Sequence, residues 1–208
     1  MKPPVRVSII YYSSTGNIHA MADAAADVAE KAGADVRVRR ARELAPEEAI
    51  ASNDAWAKNA EETKHIPEAT PADVVEADVV LFGTPTRYGN VTAQLKQFID
   101  TLGPNWQRGE LADKIYAGFT SSATAHGGQE TTLISLYNTI YHWGGILVPP
   151  GYTEPSKYVD GNPYGVSHVS GQGANPVSET ELTAIDHMVR RAVLVAQQLK
   201  AGREALAS

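Results

Sequence analysis

Val5-Arg6-Val7-Ser8-Ile9-Ile10-Tyr11, followed almost at once by Ser13-Ser14-Thr15-Gly16-Asn17, decides the fold class. The first part is short, apolar and β-branched, the pattern of a strand buried on both faces of a parallel sheet. After the turn, Ile18, Met21, Ala22, Ala25, Val28, Ala29 and Ala32 recur at helical spacing, and Gly33 closes the segment. Strand, turn and helix in that order put the turn at the carboxyl end of a strand, where open α/β sheets bind ligands. A helix N-terminus offers unpaired N–H groups and a partial positive charge, so it can hold a phosphate without a cation. Ser13, Ser14 and Thr15 add hydroxyl donors, Gly16 lets the backbone come close, Asn17 can cap or donate, and Ile18 completes the cradle. The competing reading is an ordinary hydroxyl-rich helix cap. Neither Gly-x-x-x-x-Gly-Lys-Ser/Thr nor Gly-x-Gly-x-x-Gly is present in this stretch, which sets it apart from triphosphate and dinucleotide loops.

The same unit recurs downstream. Val36-Arg37-Val38-Arg39 alternates like a strand near a sheet edge, and Ala77-Asp78-Val79-Val80-Leu81-Phe82-Gly83 reads as a buried strand. Leu95, Phe98, Ile99 and Leu102 mark a helix ended by Gly103-Pro104. Ile115 to Thr120 gives a fourth strand, Leu133, Leu136, Tyr137 and Ile140 a further helix, and Ile146-Leu147-Val148 a short fifth strand. A final helix is expected from Ser178 to Lys200, opened by Ser178 with Glu181 three residues on. Five strands alternating with helices imply a three-layer, doubly wound parallel sheet, for which the strand order 2-1-3-4-5 is expected. The chain is expected to form one domain, residues 1–208, with surface insertions near 45–72 and 150–177. The first insertion reads as a polar excursion with one or two short helices and little recognisable chemistry. The second is too long for an ordinary loop, so it is expected to be functional or interfacial.

Two more loops at strand ends carry candidate chemistry. Pro85-Thr86-Arg87-Tyr88-Gly89-Asn90 reads as a rigid turn holding an aromatic ring at the edge of a flat ligand. Thr86, Arg87 and Asn90 are placed there to hydrogen-bond heteroatoms, although Arg87 alone is equally readable as a surface residue. Ser122-Ala123-Thr124-Ala125-His126-Gly127 is built of small residues that let a backbone approach the same ligand. Trp106, after Gly103-Pro104-Asn105, is expected in a loop as an exposed platform. His142 ends an apolar helix beside Trp143, where a capping or core role is the bland alternative.

Composition narrows the classes. The 208 residues are 43% hydrophobic, enough for a sizeable core, and no run of about 18 apolar residues occurs. Met1-Lys2-Pro3-Pro4 leads into the first strand without a signal-type apolar segment, so a soluble, cytoplasmic protein is expected. Cysteine is absent, which excludes thiol chemistry and assigns any redox step to a cofactor. A net charge of −6 with scattered basic residues disfavours nucleic acid as partner. The six histidines show no metal-ligand spacing, so no metal site is expected, and the absence of Gly-x-Ser-x-Gly removes the usual hydrolase signature.

With these loops in order, the chain resembles the WrbA-like family, the type IV NAD(P)H:quinone oxidoreductases of flavodoxin-like fold. The motif carrying most of the resemblance is Pro85 to Asn90. Gly127-Gly128-Gln129-Glu130-Thr131, His142-Trp143-Gly144, Pro150-Gly151-Tyr152 and Asn162-Pro163-Tyr164-Gly165 support it, and the match runs from Val5 to about Leu199. The resemblance implies FMN, with its phosphate on Ser13 to Ile18 and its ring against Thr86, Arg87, Tyr88 and the 122–127 loop. It implies NADH or NADPH as donor, a quinone as acceptor and two-electron ping-pong chemistry. It further implies that Trp106 borders the substrate and that His142 approaches the flavin, as a catalytic group, from a neighbouring subunit of a homotetramer. Two positions depart from the family: Thr15 stands where many relatives have an aromatic residue, and His126 interrupts a glycine-rich loop. The alternatives are a flavodoxin-type electron carrier with a protein partner and a non-catalytic binding protein of the same fold.

Overall fold

The computed structural model describes residues 3–207; Met1 and Lys2 of the N-terminal approach, and Ser208, lie outside the described residues. The chain runs β1 (Arg6–Tyr11), α1 (Asn17–Lys31), β2 (Asp35–Arg40), then α2 (Glu47–Ala51), α3 (Asp54–Thr63) and α4 (Pro71–Val75) before β3 (Val79–Pro85). It continues with α5 (Ala93–Asp100), α6 (Gly103–Gln107), β4 (Ile115–Ser122), α7 (Gln129–Trp143) and β5 (Ile146–Leu147). The last elements are α8 (Lys157–Asp160), β6 (Val166–Val169), a short 3-10 turn at 171–173 and α9 (Glu179–Ala207). All strand pairs are parallel and the order is β2-β1-β3-β4-β5, the doubly wound 2-1-3-4-5 arrangement.

Alternation along the central strands explains the layers. Ile9, Leu81, Ala117 and Phe119 point to one face, where α1 and α9 cover them with Met21, Ala25, Ile185, Met188 and Val189. Ile10, Val80, Phe82 and Tyr116 point to the other, covered by α5 and α7 through Leu95, Phe98, Leu133, Leu136 and Ile140. β1, β3 and β4 are therefore apolar on both faces, as central strands of a covered parallel sheet must be. β2 lies at the sheet edge and is only half-buried, which its alternating Val and Arg residues anticipate.

Three elements differ from the sequence-based expectation. The fifth sheet position is filled by two pieces: β5 pairs with Ile115 and Tyr116 at the start of β4, while β6 pairs with Phe119 to Ser122 at its end. The residues between them leave the sheet and return, so the second excursion interrupts the fifth strand instead of following it. Trp106 sits on the short helix α6, with Pro104 in its first turn, and not in a loop. The final helix runs seven residues beyond Lys200. Its start is as expected: Glu181 Oε2 accepts from the Ser178 N–H at 2.9 Å and also from the Ser178 hydroxyl. Among the described residues, no helix is long and apolar enough to cross a membrane.

Candidate functional site

Because β1, β3 and β4 are adjacent and parallel, the loops after them share one edge of the sheet. Backbone bonds tie them together. Tyr12 N–H donates to the Gly83 carbonyl at 3.0 Å, and Thr86 N–H donates to the Ser121 carbonyl at 2.8 Å.

The first loop turns into α1 through Gly16, whose φ of +97° is the left-handed region that a Cβ disfavours. No side chain caps α1. The Ser13 hydroxyl instead accepts from the Gly16 N–H at 3.1 Å, closing the loop and leaving the first-turn N–H groups of the helix to an external acceptor. The plain helix-cap reading therefore does not describe these residues. Ser13, Ser14 and Asn17 are half-buried and Thr15 is exposed, whereas the Ile18 side chain is buried in the core. Ile18 can offer a ligand its backbone N–H only.

The second loop is a tight reversal. Arg87 N–H donates to the Asn90 carbonyl at 2.8 Å, and Asn90 N–H returns a bond to the Arg87 carbonyl at 3.0 Å. Tyr88 and Gly89 both have positive φ, 55° and 78°, the combination of a type I′ turn. A tyrosine in that region is unusual and costs backbone strain, and its ring is fully exposed. The loop is braced from below: the Thr86 hydroxyl accepts from Gly89 N–H at 3.1 Å and from the Thr132 hydroxyl at 2.7 Å. Gly89 packs against Gly128, where a Cβ on Gly128 would come within 2.9 Å of the Gly89 Cα. Pro85 ends β3, and Arg87 and Asn90 are exposed at the rim.

In the third loop Ala123 to His126 are exposed, and Gly127 is half-buried. Ser122 belongs to β4 and is buried; its hydroxyl donates to the Thr124 carbonyl at 2.6 Å. The Ser122 side chain thus shapes the loop from inside it and leaves only its backbone to approach a ligand. Trp106 and His142 are not at this edge. α5 and α7 run back from the loops to the opposite side of the sheet, and the 15-residue α7 spans about 22 Å. There the His142 carbonyl accepts from Trp106 Nε1 at 2.8 Å; the His142 side chain is exposed and Trp106 is 51% exposed. The two residues meet each other, but within one chain they do not meet the cradle.

The sequence reading missed a side-chain hub beside the first loop. Glu43 lies just past β2, the fourth strand whose carboxyl end is at this edge, and its carboxylate gathers five donors. Tyr12 Oη and Trp56 Nε1 reach Oε2 at 2.8 and 3.1 Å; Gln94 Nε2 and the N–H groups of Leu44 and Ala45 reach Oε1 at 2.7, 2.8 and 3.0 Å. Burial alone pushes the Glu43 carboxyl up, yet the donors from Ala45, Gln94, Tyr12 and Leu44 together hold it below the usual range. Glu43 thereby joins the residue before the cradle, the first excursion and the helix after the Tyr88 turn. Its position immediately after an edge strand was the available signal.

Fold and loops together define a flavodoxin-like α/β protein with an uncapped helix start behind Gly16 and an exposed tyrosine turn at the same sheet edge. A family model for NADPH-dependent FMN reductase matches residues 5–157. An "NAD(P)H dehydrogenase (quinone)" of Deinococcus radiodurans is 47% identical over 200 residues, covering 96% of this chain and 99% of that one. One of the same designation from Methanosarcina acetivorans is 39% identical, covering 94% and 98%. Among solved structures, a "flavodoxin, WrbA-like protein" from Agrobacterium tumefaciens aligns with a TM-score of 0.64 at 27% identity, over 93% of this chain and 98% of that one. The chain belongs to the NADPH-dependent FMN reductase family.

Proposed function

We propose that this protein is a cytoplasmic, FMN-dependent NAD(P)H:quinone oxidoreductase that reduces quinones to hydroquinones by a two-electron ping-pong route. The observation that carries the reading is the uncapped N-terminus of α1 behind Gly16, on the same edge as the strained Tyr88 turn. The relatives named for NAD(P)H and quinone support the donor and acceptor. The residues fit FMN: a left-handed glycine before an uncapped helix start suits its phosphate, and an exposed aromatic turn beside a small-residue loop suits a flat ring.

In this reading the backbone and hydroxyls of Ser13 to Asn17, with the Ile18 N–H, hold the phosphate. Pro85 to Asn90 and Ala123 to Gly127 flank the ring. FMN, when bound, supplies reversible two-electron redox chemistry that this cysteine-free chain cannot supply from its own side chains. The protein's tasks are to orient donor and acceptor in turn over one face and to keep that face open. The whole chain acts as one domain, and its excursions brace the cradle and the fifth sheet position.

A homotetramer completes the site in this proposal. Trp106, bonded to the His142 carbonyl, is 51% exposed and Tyr141 beside His142 is 67% exposed, and exposed aromatic residues of that kind suit a subunit contact. His142 and Trp106 of one subunit then border the flavin of another. Light scattering should give four chain masses, and Trp106→Ala should raise the quinone KM at least about tenfold, the effect of losing roughly 1.4 kcal/mol of contact, with FMN retained. A monomeric mass with full quinone turnover would remove the shared site.

Anaerobic stopped-flow tests the activity. Mixing the FMN-loaded protein with NADH or NADPH should bleach the flavin absorbance within the turnover time, and benzoquinone should restore it. Bleaching only on addition of a reductase protein would make the chain an electron carrier instead.

A further inference from the structure

The first excursion reaches the cradle through Asn59. This side chain on α3 is only 6% exposed, and its Nδ2 donates to the Ser13 carbonyl at 2.9 Å, across 46 residues of sequence. On its other side the amide Oδ1 faces Gly16, where an added Cβ would lie 3.6 Å from it. Asn59 is itself fixed. Its backbone carbonyl accepts from the Thr63 hydroxyl at 2.7 Å, and α3 is capped by Asn53, whose Oδ1 accepts from the Trp56 N–H at 3.0 Å. Trp56, one turn before Asn59, is anchored through its ring nitrogen on Glu43.

In a trans peptide the C=O and the following N–H point in opposite directions. A bond that holds the Ser13 carbonyl toward α3 therefore turns the Ser14 N–H the other way. A free carbonyl oxygen at the rim of an anion site repels the anion, while an inward N–H attracts it.

We propose that Asn59 is a positioning residue for the flavin phosphate: it draws the Ser13 carbonyl out of the cradle and presents the Ser14 N–H to the phosphate, making the site selective for FMN over riboflavin. This rests on the FMN reading above. Asn59 acts on the Ser13 to Gly16 loop alone, so its effect is confined to the part of the ligand that carries the phosphate.

The test compares FMN and riboflavin binding to the apoprotein by fluorescence quenching, for the natural chain, Asn59→Ala and Asn59→Asp, with thermal melting as a folding control. Asn59→Ala removes the donor and should weaken FMN about tenfold. Asn59→Asp keeps the shape but sets a carboxylate beside the carbonyl, and should weaken FMN by about tenfold to a hundredfold. Riboflavin affinity should change less than about threefold in both, since only the phosphate senses the peptide. Parallel losses of FMN and riboflavin, or unchanged FMN affinity in both variants, would overturn the role of Asn59. Failure of the natural chain to bind FMN would instead overturn the cofactor reading itself.

Discussion

Lys157→Met should lower the stability of the fold by about 3 to 5 kcal/mol, the usual cost of removing one partner of a buried ion pair. Lys157 is fully buried, and its ammonium donates to Asp160 on α8 and, at 2.9 Å, to the Gly165 carbonyl just before β6. Burial pushes the lysine down and the aspartate up, and each holds the other charged. With methionine at 157, Asp160 keeps only backbone donors, the Asn162 N–H at 3.2 Å and the Ser167 N–H, and loses its one counter-charge. In a chain of this length the loss corresponds to a fall in Tm of about 10 °C. The double variant Lys157→Met/Asp160→Leu should regain most of it, because an apolar pair leaves no orphaned charge. Differential scanning calorimetry of the single and double variants checks both. A loss under about 1 kcal/mol in the single variant would show that the pair does not hold the excursion in place.

That pair also shows where sequence reasoning stops. β1, β3 and β4 were legible because strands buried on both faces must be apolar throughout, and their loops followed from strand-turn-helix order. β6 was not. Val166-Ser167-His168-Val169 lies among Gly, Pro and Tyr residues, and what makes it a strand is the free edge of β4 from Phe119 to Ser122, which β5 is too short to cover. Lys157-Tyr158-Val159-Asp160 reads locally as a solvated polar turn, and Tyr158 and Val159 are exposed; the Lys157 and Asp160 side chains are buried only because distant chain, including Gly165 and α9, returns over them. Glu43 and Asn59 carry no periodic signal either, since they act through long-range bonds, Glu43 to Tyr12, Trp56 and Gln94 and Asn59 to Ser13.

The candidate site divides in the same way. The first loop as a strand-to-helix turn and the second as a tight reversal were readable, since a glycine at a strand end and a Gly89-containing turn have local causes. Ser122 and Ile18 turn their side chains inward, so within these loop motifs each can meet a ligand through its backbone alone. Trp106 follows α5 on α6 and His142 is in the last turn of α7, so both lie where the helices end, at the far edge; helix direction was the signal that places them apart from the first loop of their own chain.

Gly16→Val should weaken FMN binding by at least about a hundredfold, equivalent to roughly 2.7 kcal/mol. Two effects act together. Valine is β-branched and resists the φ of +97° that the turn into α1 requires, so the loop must shift. Its Cβ also enters the space beside Asn59 Oδ1, at 3.6 Å, and its two methyl groups add bulk next to the uncapped start of α1. Gly16→Ala imposes the φ strain with little bulk and should fall between the two, so the series separates backbone strain from blockage. Titration of each apoprotein with FMN, followed by fluorescence quenching, measures the effect. Were the stretch only a helix start, valine there would cost about 1 to 3 kcal/mol of stability and leave flavin affinity untouched. Unchanged affinity in a folded Gly16→Val protein would therefore refute the cradle, and with it the place assigned to the phosphate.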